Sequence, residues 1–311
     1  MSSFATAFNA VTPMFLLISL GVAARRAGLV TEEAASQLNR VVFTVFLPAL
    51  LFNNAYSASF AESASLRLAL FTLAAVVAVW LLACLCVCLA IKSRPMRGTM
   101  IQGIFRSNFI LFGIPVATNL YGEENIGATS FMVAVLVPIF NVLAVVTLEV
   151  FRGNKVKPLG ILAGIAKNPL ILGLCAGLLA FFSGLRLPAF IGGALESVAG
   201  AATPLALIVM GAALTFKGGA GTAPLAAAVF GKLAAVPLLV LPVAVRMGFR
   251  GVELATAAIS FASPTAVASY AMAKHMGGDD VLAARIVVAS TFCSCLTMFL
   301  WVYALKELGL I

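Results

Sequence analysis

Charged residues are scarce in this chain, and acidic residues are the scarcest of them. Only 10% of the 311 residues are charged, with 11 Asp and Glu against 20 Lys and Arg, while 62% are hydrophobic. A soluble globular protein is about one quarter charged and close to half apolar. Because this chain has too few polar side chains to cover a soluble fold of its size, we expect most of its surface to face lipid.

Catalytic motifs are also missing. The sequence has one histidine, His275, and its only aspartates, Asp279 and Asp280, follow two glycines in a turn. One histidine cannot form an H-E-x-x-H zinc site, and there is no G-x-S-x-G nucleophile motif. We therefore expect no enzyme activity, no metal and no cofactor. The excess of cations is more typical of cytoplasmic loops in a membrane protein than of nucleic-acid binding.

Apolar runs are abundant, and ten of them approach the length of about 20 residues that a helix needs to cross a bilayer. Charged residues, glycines and prolines separate these runs, so the sequence predicts ten spans joined by short loops. The predicted spans cover residues 4–24, 35–56, 66–91, 98–121, 125–151, 169–185, 189–215, 224–247, 250–275 and 281–307. The predicted fold class is therefore an all-α integral membrane protein.

Loop cations give these spans a direction. One alternating set of loops, which includes the segment 152–168, holds more than twice as many Lys and Arg residues as the other set. Cations concentrate in cytoplasmic loops, so both termini are expected on the non-cytoplasmic side. The first apolar run has no basic segment before it, and we expect it to be retained. The expected location is the plasma membrane, which in bacteria is the inner membrane.

The middle of the chain separates two halves with five spans each. We predict a first repeat at residues 1–152, a cytoplasmic linker at 153–168 with a short interfacial helix, and a second repeat at 169–311. Because each half has an odd number of spans, the halves insert in opposite orientations, as inverted repeats of transporters do. Prolines at matching places support the repeat, with Pro48 and Pro204 in the second span of each half.

Two further prolines, Pro115 and Pro264, lie near the middle of the fourth span of each half. A proline removes a backbone donor and favours extended geometry in the preceding residue. Inside a membrane the freed carbonyls need partners from protein, water or a ligand. The sequence therefore predicts two broken helices that cross, with half-helix N-termini that attract an anionic substrate. Simple proline kinks are the alternative.

Polar and flexible residues near both breaks, together with one asparagine in the fifth span, form the predicted substrate site. That asparagine, Asn141, could instead form an interhelical hydrogen bond. Asn53 and Asn54 end the second span and are expected at the outer interface. The predicted substrate-binding residues are Asn108, Gly113, Ile114, Pro115, Asn141, Ser263, Pro264 and Thr265.

Charged residues inside the spans are functional candidates by default. Arg106 lies nine residues before Pro115, about 13 Å along a helix. It could attract or gate a carboxylate, or it could reach the interface by snorkelling. Lys232 could pair across the bundle, although snorkelling is the simpler expectation. Glu149 is expected to pair with Arg152 or Lys155.

Several motifs resemble those of the auxin efflux carrier family, which is part of a superfamily of bile-acid-, arsenite- and auxin-carrier-like proteins. Their order and spacing cover nearly the whole chain. The matching segments are Leu38-Asn39-Arg40, Leu47-Pro48-Ala49-Leu50-Leu51-Phe52, Asn108 to Pro115 with Leu120-Tyr121-Gly122, Glu149 with Arg152-Gly153, Asn168-Pro169, and Pro264 to Ala268 with Ala273-Lys274.

This resemblance implies two inverted five-helix repeats, arranged as a scaffold and a mobile transport bundle. The fourth and ninth helices would cross at their prolines and bracket the substrate, with Asn108 and Pro115 on the first crossover motif and Pro264 on the second. Plant members export the auxin anion, and bacterial members are associated with malonate, malate and similar acids. Here Leu51 and Pro138 replace polar residues near the plant site, which argues against auxin.

The expected function is that of a secondary active transporter for a small organic anion, working by an elevator type of alternating access. The alternatives are a sodium-coupled organic anion symporter of the same superfamily and, less simply, a channel or a sensor. Coupling to protons, to sodium or to the membrane potential stays open at this point, as does the formation of a homodimer. The other expected partner is membrane lipid.

Overall fold

The described part of the chain is helical, with thirteen α-helices. The computed structural model describes residues 3–57, 65–109, 116–117, 120–121, 127–152, 163, 166–213 and 221–311, without some side chains near the starts of the helices at Ser3 and Gly127. The helices are α1 Ser3–Arg26, α2 Glu32–Val41, α3 Leu47–Tyr56, α4 Leu66–Ala90, α5 Arg94–Phe105, α6 Gly127–Phe151, α7 Pro169–Phe182, α8 Ala189–Ala213, α9 Thr222–Phe230, α10 Val236–Arg246, α11 Gly251–Ala262, α12 Ala268–Met276 and α13 Asp280–Glu307. Most of the predicted linker 153–168 lies outside these residues.

In the described ranges, two π-helical turns join short helices into longer rods. Val42–Phe46 connects α2 to α3, and Gly231–Ala235 connects α9 to α10. In both cases a proline, Pro48 or Pro237, follows near the start of the next helix, where its missing N–H is least costly. Such π-turns within helices are often found at functional sites.

Among the described residues, five helices or rods are long and apolar enough to cross a membrane. They are Glu32–Tyr56, Leu66–Ala90, Ala189–Ala213, Thr222–Arg246 and Asp280–Glu307, and shorter apolar helices lie at Val135–Phe151, Pro169–Phe182 and Gly251–Ala262. Each of these eight overlaps a predicted span. Of the other two predicted spans, 4–24 overlaps α1, and 98–121 overlaps α5 only as far as Phe105. Large apolar side chains such as Leu89, Phe182 and Phe190 are exposed on the outside of these helices, as expected of a surface that faces lipid.

The helices pack in two groups. The small bundle contains α1, α2, α3, α7 and α8, and its main contacts are those of α1 with α8 and of α3 with α7. The large bundle contains α4, α5, α6 and α9 to α13, packed around α5, α11 and α13. The two bundles meet where α1 contacts α13, where α8 and α2 contact α12, and where α3 and α7 contact α6.

Glycines bring helices of the small bundle into backbone contact. A Cβ atom added at Gly21 of α1 would lie 2.0 Å from the carbonyl oxygen of Ile208 in α8. One added at Gly211 of α8 would lie 2.1 Å from the carbonyl oxygen of Ile18 in α1. Small residues at such crossings are how membrane helices approach each other closely.

The second helix pair of the small bundle has the same kind of contact. Gly173 and Gly177 of α7 form a G-x-x-x-G motif that faces α3. An added Cβ atom at either glycine would lie 2.5 Å from a carbonyl oxygen of α3, that of Pro48 or that of Phe52. The two pairs therefore share a packing mode, in which the first helix of one half of the chain lies against the second helix of the other half.

Hydrogen bonds between helix ends show which ends lie together. Each joins two ends that the ten-span prediction places on the same side of the membrane. The bonded pairs are Arg94 with Val150, Thr99 with Asp279, Tyr56 with Leu187 and Gly251 with Leu310.

Candidate substrate site at two interrupted helices

Two half-helices of the large bundle end inside the protein and meet. Helices α5 and α11 each have 12 residues, and the residues that follow them, Arg106 and Ser263, have extended backbone geometry. Ser107 and Thr265 form an antiparallel β-bridge. The backbone N–H of Asn108 donates to the carbonyl oxygen of Pro264 over 2.8 Å. Backbone groups freed by one interruption are thus satisfied by the other, as burial in a membrane requires.

The interruption after α11 lies at the predicted proline, and side chains around Pro264 hold it in place. The hydroxyl of Ser263 donates to the carbonyl oxygen of Ile259 over 2.6 Å, and the hydroxyl of Thr265 donates to that of Gly103 in α5 over 2.7 Å. The backbone N–H of Thr265 donates to the hydroxyl of Ser290 in α13. The extended segment is therefore attached to both neighbouring helices.

The interruption after α5 differs from the prediction. We expected a continuous helix from Arg106 through Asn108 toward Pro115, but the helix ends at Phe105, and Arg106 to Asn108 are extended. The bridge makes Ser107 a described residue that meets the segment at Pro264. The separation of about 13 Å between Arg106 and Pro115, which assumed a continuous helix, therefore does not apply. Gly113, Ile114 and Pro115 themselves lie outside the described residues.

A cavity of about 90 Å³ lies beside this crossing, between the two bundles. The large bundle contributes the extended segment after α5, part of α6, and Ala266 to Ala268. The small bundle contributes Leu47, Leu50 and Leu51 of α3 and parts of α7 and α8. The polar residues of its wall are Asn54, Arg106, Ser107, Asn108, Asn141 and Thr203.

Arg106 is the only charged residue of the cavity wall among the described residues. Its side chain is buried, with 4% of its surface exposed, which contradicts the snorkelling alternative. One guanidinium nitrogen donates to the amide oxygen of Asn141 over 2.7 Å, and another lies against the sulfur of Met272. The amide nitrogen of Asn141 donates to the carbonyl oxygen of Val137, which fixes the orientation of that amide.

No carboxylate in the described ranges pairs with Arg106. The ion pairs found there are Arg25 with Glu32, Arg152 with Glu149, and Lys274 with Asp280. The pair of Glu149 with Arg152 was predicted. A buried guanidinium without a counter-charge costs several kcal/mol, so the cavity wall carries a positive charge that an anion would stabilise.

Amide donors lie beside this charge. The side-chain nitrogens of Asn108 and Asn54 are buried and have no hydrogen-bond partner within the described part of the chain. The hydroxyl of Ser107 is also buried and also has no hydrogen-bond partner among the described residues. A buried donor without a partner is costly, so these groups favour a ligand rich in acceptor oxygens, such as a carboxylate.

The structure thus brings only part of the predicted site to the cavity. Asn108, Asn141 and Arg106 line it, whereas Ser263, Pro264 and Thr265 are buried and are not among its lining residues. The hydroxyls of Ser263 and Thr265 donate to helix carbonyls, so these two residues hold the extended segment at Pro264 in place.

Asn54 was expected at the outer interface but lines the cavity. Asn54 follows Leu47, Leu50 and Leu51 by seven, four and three residues and therefore shares their helix face, but the sequence does not say that this face meets the other bundle. Ser107 and Thr203 were also missed. They carry no comparable signal, since neither stands out from the other hydroxyl residues of the chain.

Comparison with known proteins identifies the family of this chain. Residues 6–158 and 160–302 match a family described as membrane transport protein. An uncharacterized transporter of Methanothermobacter thermautotrophicus is 25% identical over 302 residues, which cover 94% of this chain and 96% of that protein. An uncharacterized transporter of Methanocaldococcus jannaschii is 26% identical over 217 residues, which cover 67% of this chain and 69% of that protein. The chain belongs to this family of membrane transport proteins, the auxin efflux carrier family that its motifs resemble.

Proposed function

We propose that this protein is a secondary active transporter of a small organic anion, a mono- or dicarboxylate, in the plasma membrane. The observation that carries the proposal is the buried guanidinium of Arg106 at the cavity, without a carboxylate partner among the described residues. An anionic substrate supplies the missing counter-charge, and carboxylate oxygens accept from guanidinium in a two-point geometry. The amides of Asn108 and Asn54 provide further donors.

Cavity size favours a small substrate. The space of about 90 Å³ is well below the roughly 300–1,000 Å³ of pockets for drug-sized ligands. Short dicarboxylates of the malonate or malate type match this space and the single positive charge better than a bulky aromatic acid does. The leucines of α3 on the opposite wall, including Leu51, present no hydrogen-bond donor to a larger polar ligand.

The packing of the small bundle supports a ten-helix architecture of two inverted repeats. Exchange of the two halves maps the α1–α8 pair onto the α7–α3 pair, and both pairs meet through glycines. The same exchange maps α5 onto α11. Both helices have 12 residues, and both are followed by a residue with extended backbone geometry. In this architecture both termini are non-cytoplasmic, because each half has five spans and the cation-rich loops face the cytoplasm.

The location of the cavity between two bundles supports an elevator type of alternating access. The small bundle is the scaffold, and the large bundle carries the crossing and Arg106. A binding site that is shared by two rigid groups can open to either side when one group slides past the other. The small bundle contributes mainly apolar side chains to the shared wall, which offer few directional bonds to oppose such a movement.

The test is ligand-dependent thermal stability of the purified protein, followed by uptake into proteoliposomes. Across a panel of mono-, di- and tricarboxylates, with and without sodium, we expect a small dicarboxylate to raise the unfolding temperature by mass action. The same acid should show saturable uptake and counterflow. Flux that does not saturate and is proportional to voltage would identify a channel and exclude the proposal.

Asn108→Ala tests the site within this experiment. We expect loss of saturable uptake with a normal amount of protein in the membrane, because the variant removes a donor next to Arg106. Asn53→Ala is the matched control, since Asn53 precedes Asn54 on α3 but is not one of the lining residues. Wild-type uptake by Asn108→Ala would exclude this asparagine from the site.

A further inference from the structure

A second buried cation, Lys232, is not among the residues that line the cavity. It belongs to the π-turn Gly231–Ala235 between α9 and α10, and its side chain is completely buried, with 0% exposure. This burial contradicts the expectation that Lys232 snorkels to the interface. Its ammonium nitrogen lies 3.4 Å from the carbonyl oxygen of Phe261.

Phe261 is in the last turn of α11, directly before the interruption at Pro264. The last four carbonyl groups of a helix have no partner within the helix, and they give the helix end a partial negative charge. Because α11 stops inside the protein, this negative end is buried. The ammonium of Lys232 is therefore placed where a cation stabilises the end of the half-helix.

No carboxylate approaches Lys232 from the elements packed around its π-turn, which are α5, α9, α10, α11 and α13. Glu253 is in the first turn of α11, eight residues before Phe261 and therefore about 12 Å away along the helix axis. The carboxylates of α13, Asp280 and Glu307, are at its two ends. The remaining charged residues of these elements are the cations Arg94, Arg97, Arg246, Arg285 and Lys306.

In transporters with broken helices, half-helix C-terminal ends and unwound carbonyls are the groups that coordinate a coupling cation. We infer that Lys232 is a resident cation, which takes the place of a coupling sodium ion at the end of α11 and makes transport independent of sodium. This inference rests on the proposed transport of an organic anion and adds the mode of coupling to it. Because the ammonium is attached to the chain, it stabilises the crossing in every conformation.

Counterflow of the identified acid in proteoliposomes tests the inference, with sodium replaced by choline on both sides. We expect the initial rate of the wild-type protein to be unchanged by this replacement. Saturable counterflow that requires sodium would overturn the inference and leave the proposed function intact. The absence of saturable flux in both buffers would instead reject the proposed function, so the two failures are distinguishable.

Lys232→Gln tests the residue itself. It removes the charge but keeps a donor, and we expect the rate to fall by about tenfold or more, since a buried helix end then lacks its cation. Lys306→Gln, at the exposed end of α13, is the matched control and should transport at the wild-type rate. A wild-type rate in Lys232→Gln would contradict the inference.

A pH gradient distinguishes a lysine that gains and loses its proton during transport from a lysine that stays charged. We expect a proton gradient to affect the wild type and Lys232→Gln alike. Stimulation of the wild type that disappears in Lys232→Gln would show that Lys232 carries a transported proton, and would overturn the role of a fixed cation. Should Lys232→Gln not be recovered from membranes, Lys232→Met replaces it, and the sodium comparison on the wild type decides independently.

Discussion

At the scale of single residues, Arg106 combines a cost in stability with the proposed role in binding. Its guanidinium is buried against Asn141 and Met272, and neither group carries a negative charge. Replacement of buried charged groups by neutral ones is often stabilising. A residue of this kind is retained where its charge acts on a ligand, so its effects on stability and on binding should have opposite signs.

Arg106→Gln separates these two effects. Without ligand, we expect the variant to unfold at a higher temperature than the wild type, because the desolvated charge is gone. The stabilisation by a dicarboxylate should be lost, since removal of one partner of a buried charge pair costs about 2–5 kcal/mol of binding. Thermal unfolding of purified protein with and without the acid measures both effects.

Arg186→Gln is the control for this experiment. Arg186 is exposed in the loop between α7 and α8, and its replacement should change neither quantity. An Arg106→Gln protein that keeps the full response to the acid would place the anion elsewhere.

At the scale of helices, α5 and α11 end at matching places for different reasons. The end of α11 could be predicted from the sequence, because Pro264 cannot continue a helix. The end of α5 could not, since neither proline nor glycine occurs at Arg106, Ser107 or Asn108. There the backbone is held by a bond from Asn108 to Pro264, a partner more than 150 residues away in sequence. The sequence around Asn108 gives no indication of so distant a partner.

Hydrophobicity predicted the helices more completely than the site. Apolar runs mark helices because backbone groups in lipid must be satisfied within a helix. The cavity wall depends on which face of each helix meets the other bundle. Asn54 shows the difference, since its helix was predicted correctly and its surroundings were not.

Two glycines in helix interiors give a matched test of the small bundle. Gly177→Ala should destabilise the protein by about 1–3 kcal/mol, because the added carbon meets Phe52 of α3 at 2.5 Å. Gly200→Ala in α8 has open space around the added carbon and should be neutral or stabilising by about 0.5–1 kcal/mol through helix propensity alone. Thermal unfolding in detergent compares the two variants. Equal shifts would contradict the backbone contact of α7 with α3.

At the scale of the whole molecule, the cavity lies between the two bundles, where the proposed elevator movement would take place. Ala266 lines it from the large bundle and is nearly buried. An elevator movement would expose this position to each side of the membrane in turn, whereas a simple kink in a static bundle would not.

Labelling of Ala266→Cys tests this movement, after replacement of the six natural cysteines by alanine. A membrane-impermeant anionic thiosulfonate should react from either side, and a transported dicarboxylate should slow the reaction from both. Leu185→Cys, in the exposed loop after α7, is the control and should react from one side only, at a rate that the acid does not change. Reaction of Ala266→Cys from a single side would argue against alternating access.

The glycine contacts of the small bundle also decide when this protein can assemble. Within the described residues α1 packs on α8 and α3 packs on α7, and no close packing joins α1 to α3. A ribosome that has synthesised the first half has therefore released two helices whose partners do not yet exist. Their packing cannot form until α7 and α8, which ends at Ala213, have been inserted into the bilayer. The two halves of the chain are consequently not two folding units, and a chain that stops at residue 152 should be recognised by membrane quality control as incomplete.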